Sequence, residues 1–324
     1  MYAHAGSQSN EIMTVTGPMQ SSALGPTLPH EHLYCDLSVH SGQDDNRVTD
    51  TAAMNEELEI FRAAGGHAVI EVTCEGIGRN PLALQKLSES SGVRIISGIA
   101  FYDYHTWPAW AKQADAGKIA DYFVSQIEEG TDGVCAGIIG ELFSHNEPNS
   151  KPQDYKLDEN ELRLFAAAAQ AQRRTGMAII THASLGRGGH AQLDTLERAR
   201  ADLSRVAIGH CDAQWHPDAD KDLEYYLPIL ERGASCAFDL IGWNELMSDD
   251  LRAKRVMKLV QMGYTKQVLL SSDTCRRSQL RTNGGRGLDH VLTSFCPLLR
   301  EHGLTDPQIE TMIVDSPRRL LCSR

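Results

Sequence analysis

"DENELRLFAAAAQAQRRTGMAIITHA", residues 158–183, changes character in its middle. Up to Thr175 it reads as a helix: acidic residues at the start, an alanine-rich centre, two arginines at the end and Gly176 as the stop. From Met177 it becomes a short apolar run too brief for a helix, closing on His182. A helix followed by a buried strand is the repeating unit of a parallel sheet. Seven further runs share the strand signature: "TLPHEHLY" at 27, "HAVIEVT" at 67, "VRIISGIAF" at 93, "VCAGIIGE" at 134, "RVAIGHC" at 205, "ASCAFDL" at 234 and "QVLLSSD" at 267. Most are continuously apolar, as strands are when both sheet faces are covered. Helical patterns such as "TDTAAMNEELEIFRAAGG" and "DDLRAKRVMKLVQMGY" fill the intervals.

Eight such units over roughly 300 residues predict a closed (β/α)8 TIM barrel, which takes about 250 residues plus insertions. An open, doubly wound sheet is the alternative. No linker, repeat or low-complexity block divides the chain, so residues 1–324 read as a single domain with a short N-terminal β-rich extension.

Composition narrows the function classes. The net charge is -12, and no block of lysines or arginines is dense enough to track a phosphate backbone, which argues against nucleic acid. No run of about 18 uncharged apolar residues exists, and the N-terminus lacks the basic start and apolar middle of a secretion signal. The expectation is a cytoplasmic protein without a membrane partner. Eight scattered cysteines include no C-x-x-C pair and fit reduced, mostly structural thiols.

The chemistry sits at strand ends. In "PHEHL", strand alternation puts His30 and His32 on one face and Glu31 on the other, so the histidines can chelate one ion. Taken alone, the pair is equally compatible with buried neutral histidines bonded to backbone. Glu141, His182, His210 and Asp273 then close the fourth, fifth, sixth and eighth runs, at the edge where barrel active sites lie. Six nitrogen and oxygen donors exceed what one tetrahedral zinc needs and suit two divalent ions. By position, His30, His32 and Asp273 would hold one ion, His182 and His210 the other, with Glu141 bridging. Asp273 is also the candidate proton carrier.

These motifs, with "GPTLPHEHL", "GRNPLAL", "AGIIGE" and "LLSSDTCRRSQLRTNGGRGLDH", resemble the phosphotriesterase-like branch of the amidohydrolase superfamily, specifically its phosphotriesterase-homology and lactonase members. The resemblance runs from about residue 12 to the C-terminus. It implies a TIM barrel, two zinc or similar divalent ions, hydrolysis by a metal-bridging hydroxide, a small-molecule substrate and a homodimer. It implies the same six ligands. Phosphotriesterases bridge their ions with a carboxylated lysine at the fourth strand, whereas this chain has none there and Glu141 substitutes. Alignment puts that lysine opposite Gly140, so the strand must bulge by one residue to aim Glu141 inward.

Tyr102 resembles the lactonase tyrosine that contacts the carbonyl oxygen. Trp243 replaces a lysine found in relatives acting on phosphorylated sugar lactones, which makes the expected pocket more apolar. Arg276, Arg277 and Arg281 are candidates for an acidic group on the substrate, with at least one expected in solvent or a structural ion pair. The expected activity is hydrolysis of a lactone or related carboxylic ester. Amide, carbamate or phosphoester hydrolysis at the same site is the alternative, and a non-catalytic metal-bound scaffold the third reading.

Overall fold

The structure is a computed structural model that describes residues 10–145, 151, 153–183, 188–213 and 219–322. All eight apolar runs form parallel strands of one sheet: β1 Thr27–Glu31, β2 Ala68–Glu71, β3 Arg94–Ile99, β4 Ile138–Phe143, β5 Ile179–His182, β6 Val206–Ile208, β7 Ser235–Phe238 and β8 Val268–Leu270. Their order in the sheet is their order in the chain. The two edges meet: Asp273 N donates to His30 O (3.2 Å) and His32 N donates to Thr274 O (3.2 Å). The sheet therefore closes into a (β/α)8 barrel rather than an open, doubly wound sheet.

Helices α1 Thr51–Ala63, α2 Pro81–Ser91, α3 Ala116–Glu128, α4 Glu159–Thr175, α5 Gly189–Arg198, α6 Ala219–Glu231 and α7 Asp249–Gln261 connect successive strands. In α4 the Asp158 carboxylate accepts the Glu161 amide while Glu161 reaches back to the Asp158 amide, and Gly176 ends the helix at φ 71°. These are the start and stop read from the sequence. No described helix is long and apolar enough to cross a membrane, and all eight cysteines are free.

Two apolar layers divide the work of burial. The lumen is filled by Ala68, Ile70, Ile96, Ile138, Ile180, Ala207, Ala237 and Leu269, and the same cluster includes Ile12 and Leu24 from the N-terminal segment and Leu320 and Leu321 from the last helix. Ile12 belongs to a hairpin, Glu11–Thr14 paired with Gly17–Gln20, which is the expected N-terminal extension. A larger cluster lies between the strands and the helices.

Two strands break the alternation that this layering imposes. Against β2, the pairing of β1 jumps from Leu28↔Val69 to Glu31↔Glu71; against β5, that of β4 jumps from Ile139↔Ile179 to Leu142↔Thr181. Each jump sets three residues against two, a bulge that reverses which face later side chains meet. Ile139 and Leu142 both pack in the outer layer, so Glu141 points into the barrel mouth. The expected bulge is present, and Gly140 carries it: φ is 148°, and a Cβ there would stand 2.4 Å from Ile180 Cγ2. The matching bulge in β1 was not expected; it turns His30 and His32 inward although Leu28, two residues earlier, packs outward.

Candidate metal centre

The six candidate ligands converge on one point at the C-terminal edge of the barrel. Glu141 lies at its centre. Its Oε2 is 3.2 Å from His30 Nε2, 3.1 Å from His182 Nδ1 and 3.9 Å from His210 Nε2, and its Oε1 is 3.3 Å from His32 Nε2. Asp273 Oδ1 is 3.4 Å from His32 Nε2 and 3.8 Å from His30 Nε2. Their donor atoms gather into two triads with a spacing suited to a metal ion, His30–His32–Asp273 and Glu141–His182–His210. His210 and Asp273 adopt positive φ (53° and 44°), two of only four such non-glycine residues among those described. Backbone conformations this costly are held in place where a site demands them.

The donor set fits a cation better than it fits protons. His30 is fully buried, yet neither ring nitrogen has an aligned hydrogen-bond partner, and buried polar groups are rarely left so. His182 Nδ1 and His210 Nε2 face each other at 2.9 Å. Burial disfavours charge on the His30 and His32 rings, but carboxylates outweigh it and raise both: Asp239 and Glu141 for His30, Asp273 and Glu141 for His32. Burial would push Glu141 up, but His182 and His30 hold it well below the usual carboxylate range. Asp273 is likewise buried, and His32, His210 and His30 depress it. His30 and His32 thus sit where a positive charge, proton or metal ion, is favoured, whereas burial and the neighbouring His210 lower His182.

Asp239 was not singled out in the sequence. Just beyond β7, its Oδ1 accepts from His210 N (2.9 Å) and Nδ1 (2.8 Å), and its Oδ2 lies 3.0 Å from His30 Nδ1. It faces the back of two rings at once and leaves both Nε2 atoms toward Glu141, as carboxylates behind ligating histidines do. The signal was present: "ASCAFDL" runs into an acid at the strand end like its neighbours. His32 has a similar backing, since its Nδ1 meets Thr73 Oγ1 at 2.9 Å and Thr73 donates to buried Glu71.

Beside the ligands opens a cavity of about 370 Å³ lined by Tyr102, Phe143, Leu240, Trp243, Leu246, His182, His210 and Asp273, among others. A larger groove of about 710 Å³ runs past Tyr34, Asn80 and Lys86, and among the described residues no such cluster lines it. Burial drives the Tyr102 phenol well up, so it keeps its proton. Trp243 lines the cavity while its Nε1 donates to Ser272 O (2.8 Å), so it is both wall and brace. The Arg276 guanidinium stacks 4.3 Å from the centroid of the Trp243 ring. Arg277 is placed elsewhere: it pairs with Asp44 at 2.7 Å and borders a different surface cavity. Arg281 pairs with Asp289 at 2.7 Å.

A barrel that gathers histidines and carboxylates at this edge belongs to a class, the metal-dependent barrel hydrolases. Comparison with known proteins narrows the class. The phosphotriesterase family model matches residues 10–321, and the chain belongs to that family. It is 33% identical over 301 residues to the phosphotriesterase homology protein of Escherichia coli (92% of this chain, 98% of the relative). The crystal structure of that protein, with phosphate in its active site, superimposes with a TM-score of 0.84, covering 92% of this chain and 99% of the other at 32% identity. The N-acetyltaurine hydrolase of Rattus norvegicus is 28% identical over 358 residues, covering 97% of this chain and 99% of the relative. A mutant phosphotriesterase-like lactonase from Deinococcus radiodurans aligns at 30% identity with a TM-score of 0.82, over 96% of this chain and 99% of the other.

Proposed function

We propose that this chain hydrolyses a lactone or related carboxylic ester with two divalent metal ions, zinc in the first instance. His30, His32 and Asp273 would hold one ion, His182 and His210 the other, with Glu141 between them. The supporting observation is the position of Glu141, whose two oxygens lie within 3.9 Å of a nitrogen on each of four histidines. Bound there, the ions would lower the pKa of water from about 16 toward about 7 and polarise the substrate carbonyl.

The chain's own residues do the rest. Asp273, kept ionised by the surrounding imidazoles, takes the proton of the attacking water on its carboxylate and delivers it to the leaving oxygen. Tyr102, kept protonated by burial, donates its hydroxyl to the carbonyl oxygen. Trp243, Leu240 and Leu246 pack the acyl or aryl group and exclude water.

Amide hydrolysis is the second reading. Arg276 offers a half-exposed cation whose nearest acid, Glu245, is 3.8 Å away, and one near full-length relative is named for N-acetyltaurine, an amide carrying a sulfonate. Metal-loaded protein assayed against lactones, aryl esters, N-acyl amino acids and organophosphates separates the readings. Lactone or ester turnover supports the first, and turnover of amides alone refutes it.

A further inference from the structure

Two arginines of α7, Arg252 and Arg255, are the bulkiest fully buried side chains among the described residues. Neither the ligand cluster nor the proposed mechanism uses them. Burying an ion pair is a poor way to gain stability, because desolvation offsets much of the attraction. The partners of Arg252 point to a different use.

Arg252 Nε donates to Asp212 Oδ2 (2.7 Å) and Nη1 to Asp249 Oδ1 (3.0 Å). Its other bonds go to carbonyls of the loop between β7 and α7: Nη2 to Trp243 O (3.1 Å) and Nη1 to Met247 O. The two carboxylates take amides of the same stretch. Asp212 accepts Asp239 N at Oδ1 (3.2 Å) and Leu240 N at Oδ2 (3.0 Å), and Asp249 Oδ1 accepts Gly242 N (2.8 Å). Five backbone groups of residues 239–247 thus end on one buried network, and each would cost free energy if left unpaired. The loop so held supplies Leu240, Trp243 and Leu246 to the cavity beside the candidate ligands. Because the Trp243 indole is braced separately at Ser272 O, ring and backbone are fixed from two sides.

We propose that Arg252 is a positioning residue for substrate selectivity: with Asp212 and Asp249 it holds the backbone after β7, so that Leu240, Trp243 and Leu246 form a fixed apolar wall for the acyl end of the substrate. The assignment rests on the reading of this cavity as the hydrolytic site. Arg252 touches no reacting atom and acts through the loop.

The test compares phenyl acetate with phenyl hexanoate, esters that differ in how much acyl chain can reach the wall, on metal-loaded protein. In Arg252→Met the KM for the hexanoate ester rises about tenfold or more, while KM for the acetate ester and kcat for both move less than about threefold. Arg255→Met is the structural control: that guanidinium goes to Asp222 and Leu251 O instead, and its loss leaves the ratio of the two KM values unchanged. Should Arg252→Met fail to fold, Asp249→Asn, which keeps an acceptor for Gly242 N but drops the charge facing Arg252, shifts the ratio in the same direction. An unchanged ratio in the variant that folds, or an equal shift in Arg255→Met, overturns the assignment. Hydrogen exchange read by mass spectrometry gives an arm independent of turnover. Amides of residues 239–247 exchange about tenfold faster or more in the Arg252 variant, or measurably faster in Asp249→Asn, while those of α4 keep their wild-type rates; unchanged exchange in the loop refutes the clamp. If the wild type hydrolyses neither ester, the ester-hydrolase reading fails, and the exchange arm still decides whether Arg252 holds this wall.

Discussion

Two glutamates, Glu31 and Glu141, are buried to almost the same degree, 0% and 1% exposed, and their surroundings are opposite. Glu31 accepts four hydrogen bonds of 2.7–2.8 Å, from Ser271 Oγ, Ser272 N, Ser272 Oγ and Thr274 N. Its acceptor capacity is met by neutral donors at the seam where β1 meets the segment after β8. Glu141 faces imidazole nitrogens from four directions, several crowded on one oxygen. A buried carboxylate saturated by neutral donors is a structural fastening; one ringed by basic nitrogens has the surroundings of a candidate ligand. Depth of burial alone does not tell them apart.

The sharpest test of the open cluster is Asp273→Asn. It lowers kcat by about 10³-fold or more, while metal content measured by elemental analysis falls only in part; unchanged turnover removes Asp273 as proton carrier. On the closed side, Glu31→Ala costs about 3–5 kcal/mol of stability, read from the urea midpoint, because four donors lose their acceptor. The folded fraction keeps its metal. Loss of metal without loss of stability would invert the comparison.

Acid is a further test of the open cluster. His30 and His32 are raised above the usual imidazole range, so protons compete with metal as the pH falls. Each proton that the metal must displace weakens retention by about tenfold per pH unit below the raised pKa of its imidazole, and dialysis at pH 8 and pH 5.5 with metal analysis shows loss at the lower value. Asp239→Asn weakens metal affinity about 10–100-fold through the His30 and His210 rings it backs, measured by competition with a chromogenic chelator. Smallest is Arg277→Ala. Removing a half-exposed ion pair with Asp44 changes stability by less than about 1 kcal/mol and leaves kcat/KM on a neutral ester within about twofold.

Much of this was legible in the sequence because the barrel writes a regular signature: a buried parallel strand is apolar along its length, and its polar residue marks the mouth. His182 and His210 could be placed that way, and the Gly140 offset announced the bulge that turns Glu141 inward. The bulge in β1 left no such mark, because H-x-H gives paired histidines on either face. Asp239 obeys the same strand-end rule, standing just beyond β7. Loop residues follow no period. Nothing in "TCRRSQLR" distinguishes Arg276, stacked on Trp243, from its neighbour Arg277, drawn to Asp44 by a loop more than 200 residues away.

The fastening at Glu31 also bears on how the barrel is assembled. Its partners lie 240–243 residues downstream, so loop closure of nearly the whole chain precedes them. A ribosome must release residue 274 before β1 has a neighbour on that side, and Asp273 arrives in the same step. The seam and the last candidate ligand are thus completed together, which makes a truncated or stalled chain unable to present a finished site.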